Sequence, residues 1–299
     1  MSSRLFVVML FSVLLGACAT SAGTLAQFRT IFGDIEVELY DDQKPVTVQN
    51  FKSLVQSGAY QDTFFHRVEP GFVAQGGGFC ALNRNSTNVF APSWSLLGVV
   101  PSFGNITNEF GAGGRLSNTN GTLAMAKGPT DPNSANCQWF FNLANNSNNL
   151  DNQNGGFTVF GHVVRDTGPW QCGGLLGLFN LISYGSGMVS MSWWFPTDYA
   201  STNLFTTLPV TYFTGPYLPR YVDLFYVDIS LLSVQIATTN GQQLISWNSV
   251  NGKTNLVEYT TTLPPVWKTL LATNGDGTRF TATNTVADAF RFYRVRVAY

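Results

Sequence analysis

Apolar and polar residues alternate from Leu25 to Tyr40, in two runs on either side of Gly33-Asp34, and this predicts an antiparallel hairpin. Ile35, Val37 and Leu39 against Glu36 and Glu38 give the second run one buried face. The period then changes. Pro45 opens a helix over Val46 to Ser57, with Val48, Phe51, Leu54 and Val55 on one side and Gly58 as its stop signal. Short apolar runs at Phe64–Gln75, Gly121–Ala126, Gln138–Leu143 and Phe157–Val164 read as further strands, separated by regions rich in Asn, Ser and Gly. Many strands with few helices predict a β-barrel.

From Arg165 to Pro219 the periodicity fades into an aromatic-rich segment punctuated by Gly and Pro, with one helix predicted over Leu175 to Ile182. Pro219 to Ile229 alternates again and reads as a returning strand that closes the barrel. Beyond Val234, five short strand-like runs with turn residues such as Asn251-Gly252 between them predict a small β-sandwich of fibronectin or immunoglobulin type. It is shorter than such modules usually are, so it is expected to lean on the preceding domain for part of its core. The chain therefore divides into 1–23, 24–235 with an insertion at about 165–219, and 236–299.

Composition adds limits. Hydrophobic residues make up 44% of 299, enough for a large packed core. Only 11% are charged and the net charge is −1, which leaves no basic footprint for nucleic acid and points to binding by shape and apolar contact. Met1 to Arg4 followed by the apolar run Leu5–Leu15 reads as an export signal, too short to span a bilayer comfortably. Leu15-Gly16-Ala17-Cys18 is similar to a bacterial lipobox, which makes Cys18 the expected lipidation site and a cell-envelope location the expected one; simple cleavage near Ala22 is the alternative. Export places Cys80, Cys137 and Cys172 where disulfides form, with at most one pair among three thiols. Their spacing, with His66 and His162, matches no zinc pattern.

The chemistry concentrates in Phe64-Phe-His-Arg-Val-Glu-Pro-Gly-Phe-Val-Ala-Gln-Gly-Gly-Gly78. One guanidinium, a row of apolar side chains and one amide are parts for holding a peptide bond, with nothing that attacks it. The stretch resembles the signature of the cyclophilins, and that resemblance implies X-Pro as the bond held, one whose isomers differ by about 0.5–1 kcal/mol but are separated by a barrier of about 18–20 kcal/mol from amide resonance. A donor near the prolyl nitrogen favours the twisted amide, and an apolar pocket holds the ring and strips water from the imide. Arg67 is the candidate donor, and Gln75, on the strand after the Pro70-Gly71 turn and facing the same way as Val73, is placed to orient it. Alone, Phe72, Val73 and Phe140 read equally well as core.

Together with Gly-Thr-Leu-Ala-Met-Ala126, Gln138-x-Phe and Val-Phe-Gly161, this stretch resembles the cyclophilins, closest to the short bacterial type, over roughly Leu25 to Leu232. The resemblance implies a cyclophilin-like closed barrel with one or two helices and peptidyl-prolyl cis/trans isomerase activity without a cofactor. It implies Arg67 and Gln75 as catalytic, and His66, Phe72, Val73, Ala126, Gln138, Phe140, Leu150 and Phe157 as substrate-binding. There are departures. Val73 stands at the family's pocket methionine, Phe157 at a pocket histidine or tyrosine, Asn149 at a familiar tryptophan and Trp139 at a usual phenylalanine. The 165–219 segment is expected to replace the family's last helix and to border the groove. The function expected is isomerisation that assists folding of exported proteins, with proline-containing polypeptides as partners. The alternatives are a non-catalytic proline-peptide binder and an adhesion protein working through the insertion and the sandwich. No Gly-x-Ser-x-Gly, His-Glu-x-x-His or phosphate loop supports a hydrolase.

Overall fold

The computed structural model describes residues 24–91, 96–212, 217–232, 234–249, 254–276, 278–285 and 291–298. The signal-like segment with Cys18 and the Asn251-Gly252 turn lie outside the described residues. In chain order the elements of the first domain are β1 (Leu25–Thr30), β2 (Gly33–Leu39), α1 (Pro45–Gln56), β3 (Arg67–Glu69), β4 (Val73–Gly76), β5 (Phe79–Ala81), β6 (Leu97–Val99), β7 (Thr122–Met125), β8 (Trp139–Asn142), α2 (Ser147–Leu150) and β9 (Val159–Asp166). Then come α3 (Leu175–Leu181), β10 (Ser183–Tyr184), β11 (Gly187–Val189), α4 (Tyr199–Asn203), β12 (Leu208–Pro209) and β13 (Asp228–Leu232). Of the four α-helices among the described residues, α2 and α4 are little more than single turns, so α1 and α3 are the two of substantial length.

Eight strands form one curled sheet in the order β13-β1-β2-β9-β7-β8-β4-β3. Its two edges meet without a regular ladder: Phe65 N donates to Phe225 O (2.9 Å), Val227 N donates to Thr63 O (3.0 Å), and Phe64 bridges Tyr226. The segment before β13 thus returns and joins the edges, but not as the single strand expected over Pro219–Ile229: Tyr221–Asp223 form a 3-10 turn and the regular strand begins only at Asp228. The first hairpin runs differently from expectation. The turn falls at Ile31-Phe32, and Gly33-Asp34 belong to β2, paired with Thr30 and Arg29.

Aromatic side chains fill the barrel. Phe28 meets Trp139 and Phe141 edge-on at 4.9 and 5.0 Å and stacks on Phe51 of α1 at 5.9 Å. Trp139, with the bulk of an indole, is fully buried and lies against Gly76 and Gly77; a Cβ on Gly76 would fall 2.6 Å from its ring. That contact explains why the chain carries glycines after Gln75. Gly77 also has φ +75°, which side-chain-bearing residues rarely adopt. The 165–219 segment contributes directly to the barrel's core. It supplies α3, whose Leu175 and Phe179 enter the main core, Phe179 meeting Phe65 at 4.8 Å and Phe225 at 5.0 Å. A second core of Phe64, Phe90, Phe205, Leu208 and Tyr221 joins the rest of this segment to the barrel wall.

The α1 helix has no side-chain cap of its own. Glu109, buried, takes that role from far along the chain, accepting bonds from Val46 N (3.1 Å) and Thr47 N (2.7 Å). Beside it the fully buried Lys44 ammonium donates to the carbonyls of Glu109 and Gly114, each at 2.8 Å, and of Ala112. One cation therefore folds the 109–114 loop onto the start of α1.

The C-terminal part consists of β14 (Val234–Thr239), β15 (Gln242–Asn248), β16 (Thr254–Thr260), β17 (Lys268–Asn274), β18 (Arg279–Thr285) and β19 (Phe292–Ala298). They form two three-stranded sheets, β14-β15-β18 and β17-β16-β19, over a core built on Trp247, Ile245, Val257 and Val295. Leu25 of β1 and Leu232 of β13 share that core, so the small sandwich completes itself on the barrel's edge strands. The three cysteines Cys80, Cys137 and Cys172 are free thiols, and the disulfide that export would permit is not made among them.

Candidate active site

The β3–β4 hairpin turns at Pro70-Gly71, and its register sets Arg67 directly across from Gln75 and Glu69 across from Val73. On the next strand, Phe140 of β8 stands opposite Gln75, and Ala124 of β7 opposite Phe140. Three adjacent strands thereby present Arg67, Gln75 and Phe140 in a row. A cavity of about 250 Å³ opens beside them.

Eight of the ten residues expected at the substrate site line this cavity: Arg67, Phe72, Val73, Gln75, Ala126, Phe140, Leu150 and Phe157. Its floor is apolar. Val73, Phe140 and Leu150 are buried and pack with Phe72, Ala126 and Phe157. Phe140 meets Phe157 edge-on at 5.9 Å. Leu150 is carried on α2, which Asp151 ties down by accepting bonds from Asn118 N and Nδ2, both at 2.9 Å. The guanidinium stands at the lip, with Arg67 Nη1 3.5 Å from Gln75 Oε1 and its carbon 5.9 Å from the Phe72 ring.

Gln138 lines a neighbouring hollow of about 240 Å³ that shares Gln75 and Ala126 with the first. Gln75 Nε2 donates to Gln138 Oε1 at 2.7 Å, so the amide next to Arg67 is itself held. His66 is the exception and a correction. It does not reach the substrate side, because alternation along the strand turns it away from Arg67 into the protein, where it is 2% exposed and packs edge-on to Phe79 at 5.1 Å. Burial first, and the Arg67 charge second, pull its imidazole down to about 3, against a smaller opposing effect of a hydrogen bond with Gln138. It is a neutral support behind the arginine.

Two lining residues escaped the sequence reading, Lys127 and Gln153. Lys127 Nζ donates to the carbonyls of Asn154 (2.5 Å) and Gly156 (2.6 Å) and lies 4.8 Å from the Phe157 ring centre, bracing that wall. It directly follows the Gly-Thr-Leu-Ala-Met-Ala motif, so its position was the available signal. Gln153 bonds Asn149, which stands exposed at the expected tryptophan position. Polar amides thus occupy that rim.

An apolar cavity with a cation at its lip and a neighbouring amide can hold a proline ring and donate to the imide beside it. Residues 25–168 match the family model described as cyclophilin type peptidyl-prolyl cis-trans isomerase/CLD. A peptidyl-prolyl cis-trans isomerase of Acinetobacter baylyi is 40% identical over 145 residues, covering 48% of this chain and 68% of that protein. Peptidyl-prolyl cis-trans isomerase B of Escherichia coli is 37% identical over 145 residues, covering 47% and 77%. Among solved structures, a cyclophilin type peptidyl-prolyl cis-trans isomerase of Cryptosporidium parvum aligns with a TM-score of 0.39 at 24% identity, over 55% of this chain and 88% of that one. With identities of this size across more than two thirds of its relatives' length, the chain belongs to the cyclophilin type peptidyl-prolyl cis-trans isomerase family.

Proposed function

We propose that this protein catalyses cis/trans isomerisation of X-Pro bonds in polypeptides, with Arg67 as the donor to the prolyl nitrogen. The observation that carries the reading is the position of the Arg67 guanidinium at the lip of an apolar cavity walled by Phe72, Val73, Phe140, Leu150 and Phe157. The proline ring fills the cavity. Arg67 then donates to the nitrogen as it pyramidalises, an interaction available only once resonance is lost and therefore stronger in the transition state than in either isomer. Gln75, anchored by Gln138, keeps the guanidinium fork on the imide side. Phe157 keeps the wall apolar where a polar tip is usual in the family, which favours substrates with no polar demand at that wall. A purely binding role is less well supported, since holding a proline requires the cavity but not this donor.

The cell-envelope setting belongs to the same proposal and rests on the Met1–Cys18 pattern. Exported proteins are the clients, and a lipid on Cys18 holds the enzyme at a membrane. The test of the activity is the cis-to-trans rate of an X-Pro tetrapeptide with the purified chain and with Arg67→Ala. Acceleration proportional to enzyme, lost in the variant, supports it; background rates with both overturn it.

A further inference from the structure

Arg67 has a second polar neighbour, on the other side from Gln75. Glu69 lies two residues further along β3 and hence on the same face, with Oε1 3.6 Å from Arg67 Nη2. Both side chains are about one-third exposed, and an isolated ion pair of that kind orders little. Here the carboxylate is itself held: Oε1 also accepts the Thr207 hydroxyl at 3.1 Å. Thr207 is buried, and its own carbonyl accepts a bond from Val68 N at 2.9 Å, so the hydroxyl is presented to Glu69 from a backbone docked against β3. The same stretch of chain grips the tip of the hairpin. Asn180 Oδ1 accepts Gly71 N at 2.7 Å while its Nδ2 donates to Leu143 O at 3.2 Å. Thr207 and Asn180 both lie beyond residue 168, where the family match ends.

We propose that Glu69 is a positioning residue for Arg67, and that Thr207 fixes Glu69, so that the segment after residue 168 sets the aim of the catalytic guanidinium. A free arginine side chain samples many rotamers, and only those pointing the fork at the prolyl nitrogen are productive. Acceptors on both sides, Gln75 and Glu69, narrow that distribution before substrate arrives. The inference rests on the assignment of Arg67 as donor, and it predicts an effect on turnover and not on capture of the proline, because neither Glu69 nor Thr207 lines the cavity.

The experiment measures kcat and KM separately, by NMR exchange on an X-Pro peptide, for the full chain and five variants. Glu69→Ala is expected to lower kcat about two- to fivefold with KM unchanged. Thr207→Val, which keeps the side-chain shape, lowers it in the same direction, and Glu69→Gln, which keeps an acceptor oxygen for both neighbours, recovers most of the loss. Placed on Arg67→Ala, Glu69→Ala has no further effect. A rise in KM alone, an unchanged or faster kcat, or an equal further drop in the Arg67→Ala background would each overturn the proposal. Full activity in Arg67→Ala itself would instead overturn the assignment of Arg67.

Discussion

Lowering the pH should destabilise this protein well before its carboxylates protonate, because of His66. The imidazole is 2% exposed, faces Phe79 and sits behind the Arg67 charge, so the folded chain keeps it neutral down to about 3. In the unfolded chain it takes up a proton near its ordinary value of about 6.5. Between those two values the unfolded state binds more protons than the folded one, so stability falls as pH falls. The loss begins just above pH 6, amounts to about 2 kcal/mol at pH 5, and reaches about 5 kcal/mol once pH drops below 3. Urea unfolding of the purified chain at pH 7.5 and pH 5.0, followed by near-ultraviolet ellipticity, reads the difference. His66→Phe removes the titration while keeping a buried ring. Any cost of the substitution that does not depend on pH cancels between the two measurements. The variant should lose about 2 kcal/mol less than the wild type between these pH values. Equal losses in both proteins would refute the reasoning and place His66 in contact with solvent or with an unrecognised acceptor.

Phe140→Ala removes the aromatic wall opposite Gln75, and losing roughly 50 Å² of apolar contact with a proline ring should raise KM about tenfold while Arg67 is untouched; an unchanged KM would mean the ring sits elsewhere. Lys44→Met leaves the carbonyls of Glu109, Ala112 and Gly114 without their donor in a buried site, and should cost about 3–5 kcal/mol in thermal or urea unfolding. Glu258→Ala strips the shared partner from Arg294 (2.6 Å) and Arg296 (2.7 Å) on the sandwich. It should lower the unfolding midpoint of that module while leaving tetrapeptide turnover within experimental error.

The barrel was legible because local period carries it. Ile35, Val37 and Leu39 point inward in β2 as their alternation demands, and Val48, Phe51 and Leu54 form the buried side of α1. The site was legible for a related reason. Most of its parts fall within Phe64–Gly78 and the Ala126, Gln138–Phe140 and Leu150–Phe157 stretches, and hairpin register brings Arg67 to Gln75 without help from distant chain. What could not be read depends on contacts across long separations. The run after Pro219 announced that the sheet's edges are joined but not by which partners, Thr63 and Phe65 meeting Val227 and Phe225, and Lys44 finds its carbonyls beyond residue 108. Thr207 reaches Glu69 from 138 residues away. His66 shows the opposite limit: the motif placed it beside the substrate, yet strand alternation beside Arg67 already required that it face inward. Apart from its helix, expected over Leu175 to Ile182 and found at Leu175–Leu181, the 165–219 segment was opaque because its strands are only two or three residues long, too short for a period to appear.

The most direct test of the account separates holding from turning. With an X-Pro peptide at equilibrium, NMR exchange between cis and trans signals reports catalysis while peptide shift changes report binding. In Arg67→Ala the account predicts exchange slowed about a hundredfold to a thousandfold, the range expected for loss of one transition-state donor, with peptide affinity within a few-fold of wild type. Undiminished exchange in that variant, or loss of binding in step with loss of exchange, would contradict it.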